Sequence, residues 1–121
     1  MERMQIYNSL ATVFAYKGQT KQCLEYINLA SEITKGNEEY EIYTLANEAL
    51  YYLLTNNKDK CLDSASKAVN LAIKGQNYLA VQQIKDDAEY VAQINNRADI
   101  FSDLLEFLSS KYNSLPTISH K

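Results

Sequence analysis

The chain has 121 residues, enough for one domain that buries roughly two thirds of its unfolded surface, and 46% of them are hydrophobic and 22% charged. Its net charge of −3 leaves no basic surplus to gather phosphates or an anionic bilayer, so nucleic acid is not expected to bind this chain alone, nor a membrane surface. With three Gly and one Pro in the whole chain, long helices with brief connections are expected and disorder is not. The opening MERMQIYNSL lacks the continuous apolar core of a secretory signal, and no apolar run approaches the ~18 residues needed to span a bilayer. These features suit a cytoplasmic protein with reduced thiols.

The first predicted helix covers about 3 to 17 and stops at Lys17-Gly18, with Tyr7, Leu10, Ala11 and Phe14 at helical spacing. The second, about 20 to 35, starts at Thr20 and stops at Lys35-Gly36. The third, about 38 to 55, follows Asn37, carries Glu38 and Glu39 in its first turn and ends at Asn56-Asn57. It is crowded with Tyr40, Tyr43, Tyr51 and Tyr52, and its second half, ALYYLL, has no polar face, as suits a helix buried on several sides. The fourth, about 58 to 74, ends at Lys74-Gly75, and the fifth, about 77 to 94, starts at Asn77 and ends at Asn95-Asn96. The sixth covers about 97 to 112, and the non-periodic NSLPTISHK from 113 to 121 reads as a flexible tail. Gly, and less readily Asn, accepts the left-handed conformation that closes a helix, while a Lys in the last turn faces the negative end of the macrodipole.

These stops are periodic. Gly18 to Asn56 is 38 positions, and Gly36 to Gly75 and Asn56 to Asn95 are 39 each. The repeating unit is therefore a helix pair used three times, over about 3–36, 38–75 and 77–112, within one domain at 3–112. Short connections make paired helices antiparallel, and a hairpin cannot bury its apolar face alone. The expected fold is all-α, with three antiparallel helical hairpins stacked as a short α-solenoid.

On this period the chain resembles the tetratricopeptide repeats (TPR), over residues 5 to about 108 and with a spacing four to five residues above the family's usual 34. In the first unit Tyr7, Leu10, Ala11, Phe14, Gly18, Cys23, Ile27 and Ala30 match the family's positions by residue type. In the second the equivalents are Leu45, Glu48, Ala49, Tyr52, Asn56, Cys61, Ala65 and Ala68, with Glu48 a misfit. The third, Ile84, Asp87, Ala88, Val91, Asn95, Ile100, Leu104 and Phe107, is degenerate, with Ile100 and Phe107 at the family's small positions. In this register Cys23 and Cys61, each followed by Leu and an acid with Ala seven positions on, are small buried hydrophobes in place of alanine. A disulfide would need their Cα atoms within roughly 7 Å. Two isolated cysteines and His120 offer no metal-ligand cluster, so no cofactor or metal is expected.

No Gly-rich phosphate loop or nucleophile elbow occurs, and an enzyme is not expected. The acidic group Asp86, Asp87 and Glu89 reads as a solvated face, because adjacent helical residues diverge by about 100° and only Asp86 and Glu89 share a side. An enzyme would instead need an acidic pocket around Asp86 and Glu89.

The resemblance implies a peptide- or protein-binding groove along the first helix of each pair. Its residues would be Gln5, Asn8, Thr12 and Tyr16, then Tyr43, Asn47, Leu50 and Leu54, then Gln82, Lys85, Asp86, Glu89 and Gln93. Amide side chains can satisfy an extended backbone, and Tyr and Leu supply apolar area. Some family members clamp a C-terminal carboxylate; of that set only Asn47 is present, with Asn8, Thr12, Gln82 and Asp86 at the other positions, which disfavours such an adaptor. Units near 38 residues also look like the repeat domains of bacterial peptide-sensing regulators, in which a groove Asn holds the peptide. The competing expectation is a homodimeric scaffold. The last helix, DIFSDLLEFLSSKY, spreads its apolar residues over more than one stripe, making Phe101, Leu104, Leu105 and Leu108 a candidate interface.

Overall fold

The structure, a computed structural model, describes residues 2–115. Among these residues there are six helices and no strand: α1 (Glu2–Tyr16), α2 (Thr20–Thr34), α3 (Glu38–Leu54), α4 (Lys58–Lys74), α5 (Tyr78–Ile94) and α6 (Ala98–Asn113). The last helix runs to Asn113 and Leu115 is buried, so the expected tail begins later; residues 116–121 lie outside the described ones.

Every connection between helices is three residues long, and four of the five are built alike. Gly18, Asn56, Gln76 and Asn96 adopt positive φ just after a helix. The amide that follows each reaches back to close the final turn: Gln19 to the Phe14 carbonyl, Asn57 to Tyr52, Asn77 to Ala72 and Arg97 to Ala92, at 2.7–2.9 Å. This Schellman closure satisfies carbonyls that the helix end leaves without a partner. Asn57 and Asn77 then cap the next helix at once, their side chains accepting from the Lys60 and Ala80 amides, as Asn37 does from Tyr40. Two stops fall one residue later than expected: the left-handed residues are Gln76 and Asn96, while Gly75 and Asn95 keep negative φ. Measured on these residues, Gly18 to Asn56 is 38 positions, and Gly36 to Gln76 and Asn56 to Asn96 are each 40.

Packing is densest between α3 and α4 and between α1 and α2; α2 with α3 and α5 with α6 follow at a similar, lower level, and α3 also touches α1 and α5. That central place accounts for the ALYYLL segment: Ala49, Leu50, Leu53 and Leu54 are buried and Tyr51 and Tyr52 pack against the core. Where helices meet, the buried residues are small, including Ala11, Ala15, Ala30, Ala65, Ala68, Ala72 and Ala88, which lets backbones approach closely. Cys23 and Cys61 are fully buried among them as free thiols, each pushed up to about 12 by burial. The α6 residues Leu104 and Leu108 belong to this core too, at 1% and 0% exposure, and Phe101 and Leu105 are half-buried. The first two are therefore not available to a partner, because α5 and α4 cover them within the same chain. Phe101, Leu104, Leu105, Phe107 and Leu108 of α6 are not among the exposed large hydrophobic side chains, which include Ile6, Val13, Leu29, Ile33, Leu79, Tyr90 and Ile94.

No helix among the described residues is long and apolar enough to cross a membrane.

Candidate binding cavity

A cavity of about 400 Å³ lies between α1, α3 and α5. α1 lines it with Met4, Gln5, Asn8, Ser9 and Thr12; α3 with Glu39, Tyr40, Tyr43, Ala46 and Asn47; α5 with Ala80, Gln83, Ile84 and Asp87. On all three helices these positions run from the first turns to just past the middle. Beyond them α1 and α5 are tied together: the Tyr16 hydroxyl donates to Asp87 Oδ1, and the Tyr16 ring meets Tyr90 edge-on at 4.7 Å. The two neighbouring connections also touch, since a Cβ at Gly18 would fall 2.5 Å from Asn95 Oδ1.

Beneath the cavity a buried polar network joins three helices. Asn47 Nδ2 donates to the Asn8 carbonyl at 3.0 Å and to Asn8 Oδ1 at 3.2 Å. Thr12 Oγ1 lies 2.7 Å from Asn47 Oδ1 and 3.0 Å from the Asn8 carbonyl, and shares its one proton between them. Thr44 Oγ1 donates to Asn8 Oδ1 at 3.3 Å and stands 3.2 Å from Thr34 Oγ1 on α2. Asn8 and Asn47 are 8% and 3% exposed, so most of their hydrogen-bonding capacity is spent inside the protein, where an unpaired polar group would be costly. On the α3 wall, the Tyr43 hydroxyl is held by Asn77 Nδ2 at 3.2 Å.

The carboxylates diverge in their settings. Burial raises the Asp87 carboxyl above its usual range, the Tyr16 hydrogen bond opposes this, and Asp86 adds to it. Burial, followed by the bond to Asp87, likewise raises the Tyr16 phenol. Glu48, one unit earlier, is also raised by burial, but the Ser64 hydroxyl 3.5 Å away and the charge of Lys67 work in the other direction.

Of the residues placed in a groove by sequence, Gln5, Asn8, Thr12, Tyr43 and Asn47 line the cavity, and Tyr16 reaches it through Asp87. Leu50 and Leu54 do not line it: both are core residues, at 3% and 5% exposure, because central α3 is covered on several sides. On α5 the expected face is turned. Gln82, Lys85, Asp86, Glu89 and Gln93 do not line the cavity, whereas Ala80, Gln83, Ile84 and Asp87 do. The missed signal was present: Asp87 stands three residues after Ile84 and four before Val91, inside the buried stripe. Asp86, by contrast, is exposed. Among the described residues no group of His, Cys, Asp and Glu could hold a metal ion.

No family model, curated protein or solved structure matches the chain, so its functional reading rests on this geometry.

Proposed function

We propose that this is a non-catalytic module that binds a peptide or protein segment in the α1/α3/α5 cavity, built as three stacked TPR-like hairpins. The observation that carries the reading is that the cavity is walled entirely by the first helix of each pair, with amides, hydroxyls and tyrosines interleaved. Such a surface can satisfy a peptide backbone and bury side chains at once. The stacking is supported by the dense packing of α1 on α2 and of α3 on α4, the contacts of α3 with α1 and α5, and the recurring closures at Asn56, Gln76 and Asn96. Self-association through α6 loses its motive, since Leu104 and Leu108 are already buried.

The test is selection from a random-sequence peptide library, followed by affinity measurement on Ser9→Trp and Gln83→Trp. Both positions are exposed and on the cavity, so the new indole fills space without entering the core. Binding should weaken at least tenfold with melting temperature held. Unchanged affinity in both variants would contradict the proposal.

A further inference from the structure

We infer that the cavity captures its peptide through a protonated amine or guanidinium that docks on the Asp87 carboxylate. This rests on the peptide-binding reading above and narrows it to a basic residue and the backbone beside it.

Asp87 is half-buried and lines the cavity, and its hydrogen-bond partner is the Tyr16 hydroxyl, a neutral group. Among the described residues neither Lys nor Arg lines the cavity, so the carboxylate has no countercharge there. A carboxylate partly removed from water gains from an opposite charge within a few ångström, and a ligand can bring one. Glu48, aligned with it by sequence, has Lys67 nearby and does not line the cavity, and Glu39 lines it but is exposed, which leaves Asp87 the half-buried acid of the lining.

A second group specifies what accompanies the cation. Asn8 is 92% buried, being 8% exposed, and its Oδ1 is occupied by Asn47 and Thr44. Its Nδ2 donates to no protein group among the described residues, while no fully buried side-chain nitrogen or oxygen there lacks a partner. The NH₂ therefore opens on the cavity and is ready for an acceptor such as a peptide carbonyl. A free polyamine carries the cation but not that acceptor. At about 400 Å³ the space lies toward the lower end of the roughly 300–1,000 Å³ typical of small-ligand sites, which fits one long side chain with flanking backbone.

The probes are Ac-Ala-Arg-Ala-NH₂, its citrulline analogue, which is neutral and nearly isosteric, and spermidine, each titrated into the ¹⁵N-labelled chain. The arginine peptide should shift amides around Asn8, Asn47 and Asp87 and bind at least tenfold more tightly than the citrulline peptide. Asp87→Asn, which keeps a partner for Tyr16, should bring the two within twofold. Gln83→Lys, at an exposed position, should do the same should Asp87→Asn fail to fold. Equal affinity of the two peptides for the unaltered chain overturns the inference, as does a tenfold ratio that persists in both variants. Spermidine binding as tightly as the arginine peptide overturns the peptide half of it. Library peptides that bind in the cavity without basic residues would remove this inference and leave the peptide-binding reading standing. If no peptide, selected or synthetic, reaches the cavity, both fall.

Discussion

Asn47 was expected to offer its amide to a ligand, and the structure turns most of that amide toward Asn8 and Thr12 instead. Its removal is then a matter of stability before it is one of binding. Asn47→Ala removes three hydrogen bonds, to the Asn8 carbonyl, Asn8 Oδ1 and the Thr12 hydroxyl, and opens a space at a 3%-exposed site, and should lower unfolding free energy by about 2–4 kcal/mol in urea denaturation. Glu48 makes the opposite prediction. Its folded-state pKa is raised, chiefly by burial, so the stability it confers is complete below the ordinary carboxylate pKa and is lost as pH rises through the raised value. Glu48→Gln carries no such loss. Its melting temperature should exceed that of the unaltered chain at pH 7, and the difference should vanish near pH ~4, as followed by circular dichroism.

At the scale of elements, the connections show how far local chemistry reaches. Asn caps and the number of stops could be read from sequence because each depends on residues within one turn of the helix end. Which residue of a pair goes left-handed could not: Gln76 carries the positive φ although Gly75 precedes it, since the closing bonds to Ile73 and Ala72 fix the position rather than the glycine. The consequence is a graded series. Gly18 combines φ +72° with the Asn95 contact, so Gly18→Ala should destabilise by about 2–3 kcal/mol. Gly36, at φ +84° with open space around it, should lose only about 1 kcal/mol. Gly75→Ala should be close to neutral, because φ is negative and the nearest atom lies at an ordinary 3.5 Å. Chemical denaturation of the three variants would order them, and equal effects would contradict the assignment of the turns. Arg97 was not singled out at all, yet its guanidinium donates twice to the Leu54 carbonyl, at 3.1 and 3.2 Å, and so ties the last connection to the end of α3. A contact spanning 43 residues leaves no local trace.

For the molecule as a whole, all-helical character and six elements followed from periodicity, but the facing of α5 did not, and that facing decides the site. Its sequence departs most from the expected repeat pattern, which points Asp86 and Lys85 toward a groove, whereas Asp87 and Gln83 line the cavity. The same limit applied to α6. Its apolar breadth suggested an interface, whereas Leu104, Leu108 and Leu115 are used by the chain's own core. In the function we propose, the cavity that remains, with its neutral amides and the half-buried Asp87, is what relates this architecture to a ligand. The most direct measurement is chemical-shift mapping of a library-selected peptide on the ¹⁵N-labelled chain. Binding in the cavity should confine the large shifts to the cavity-lining stretches of α1, α3 and α5, around Asn8, Tyr43 and Asp87. Large shifts confined to α2, α4 or α6 would contradict it.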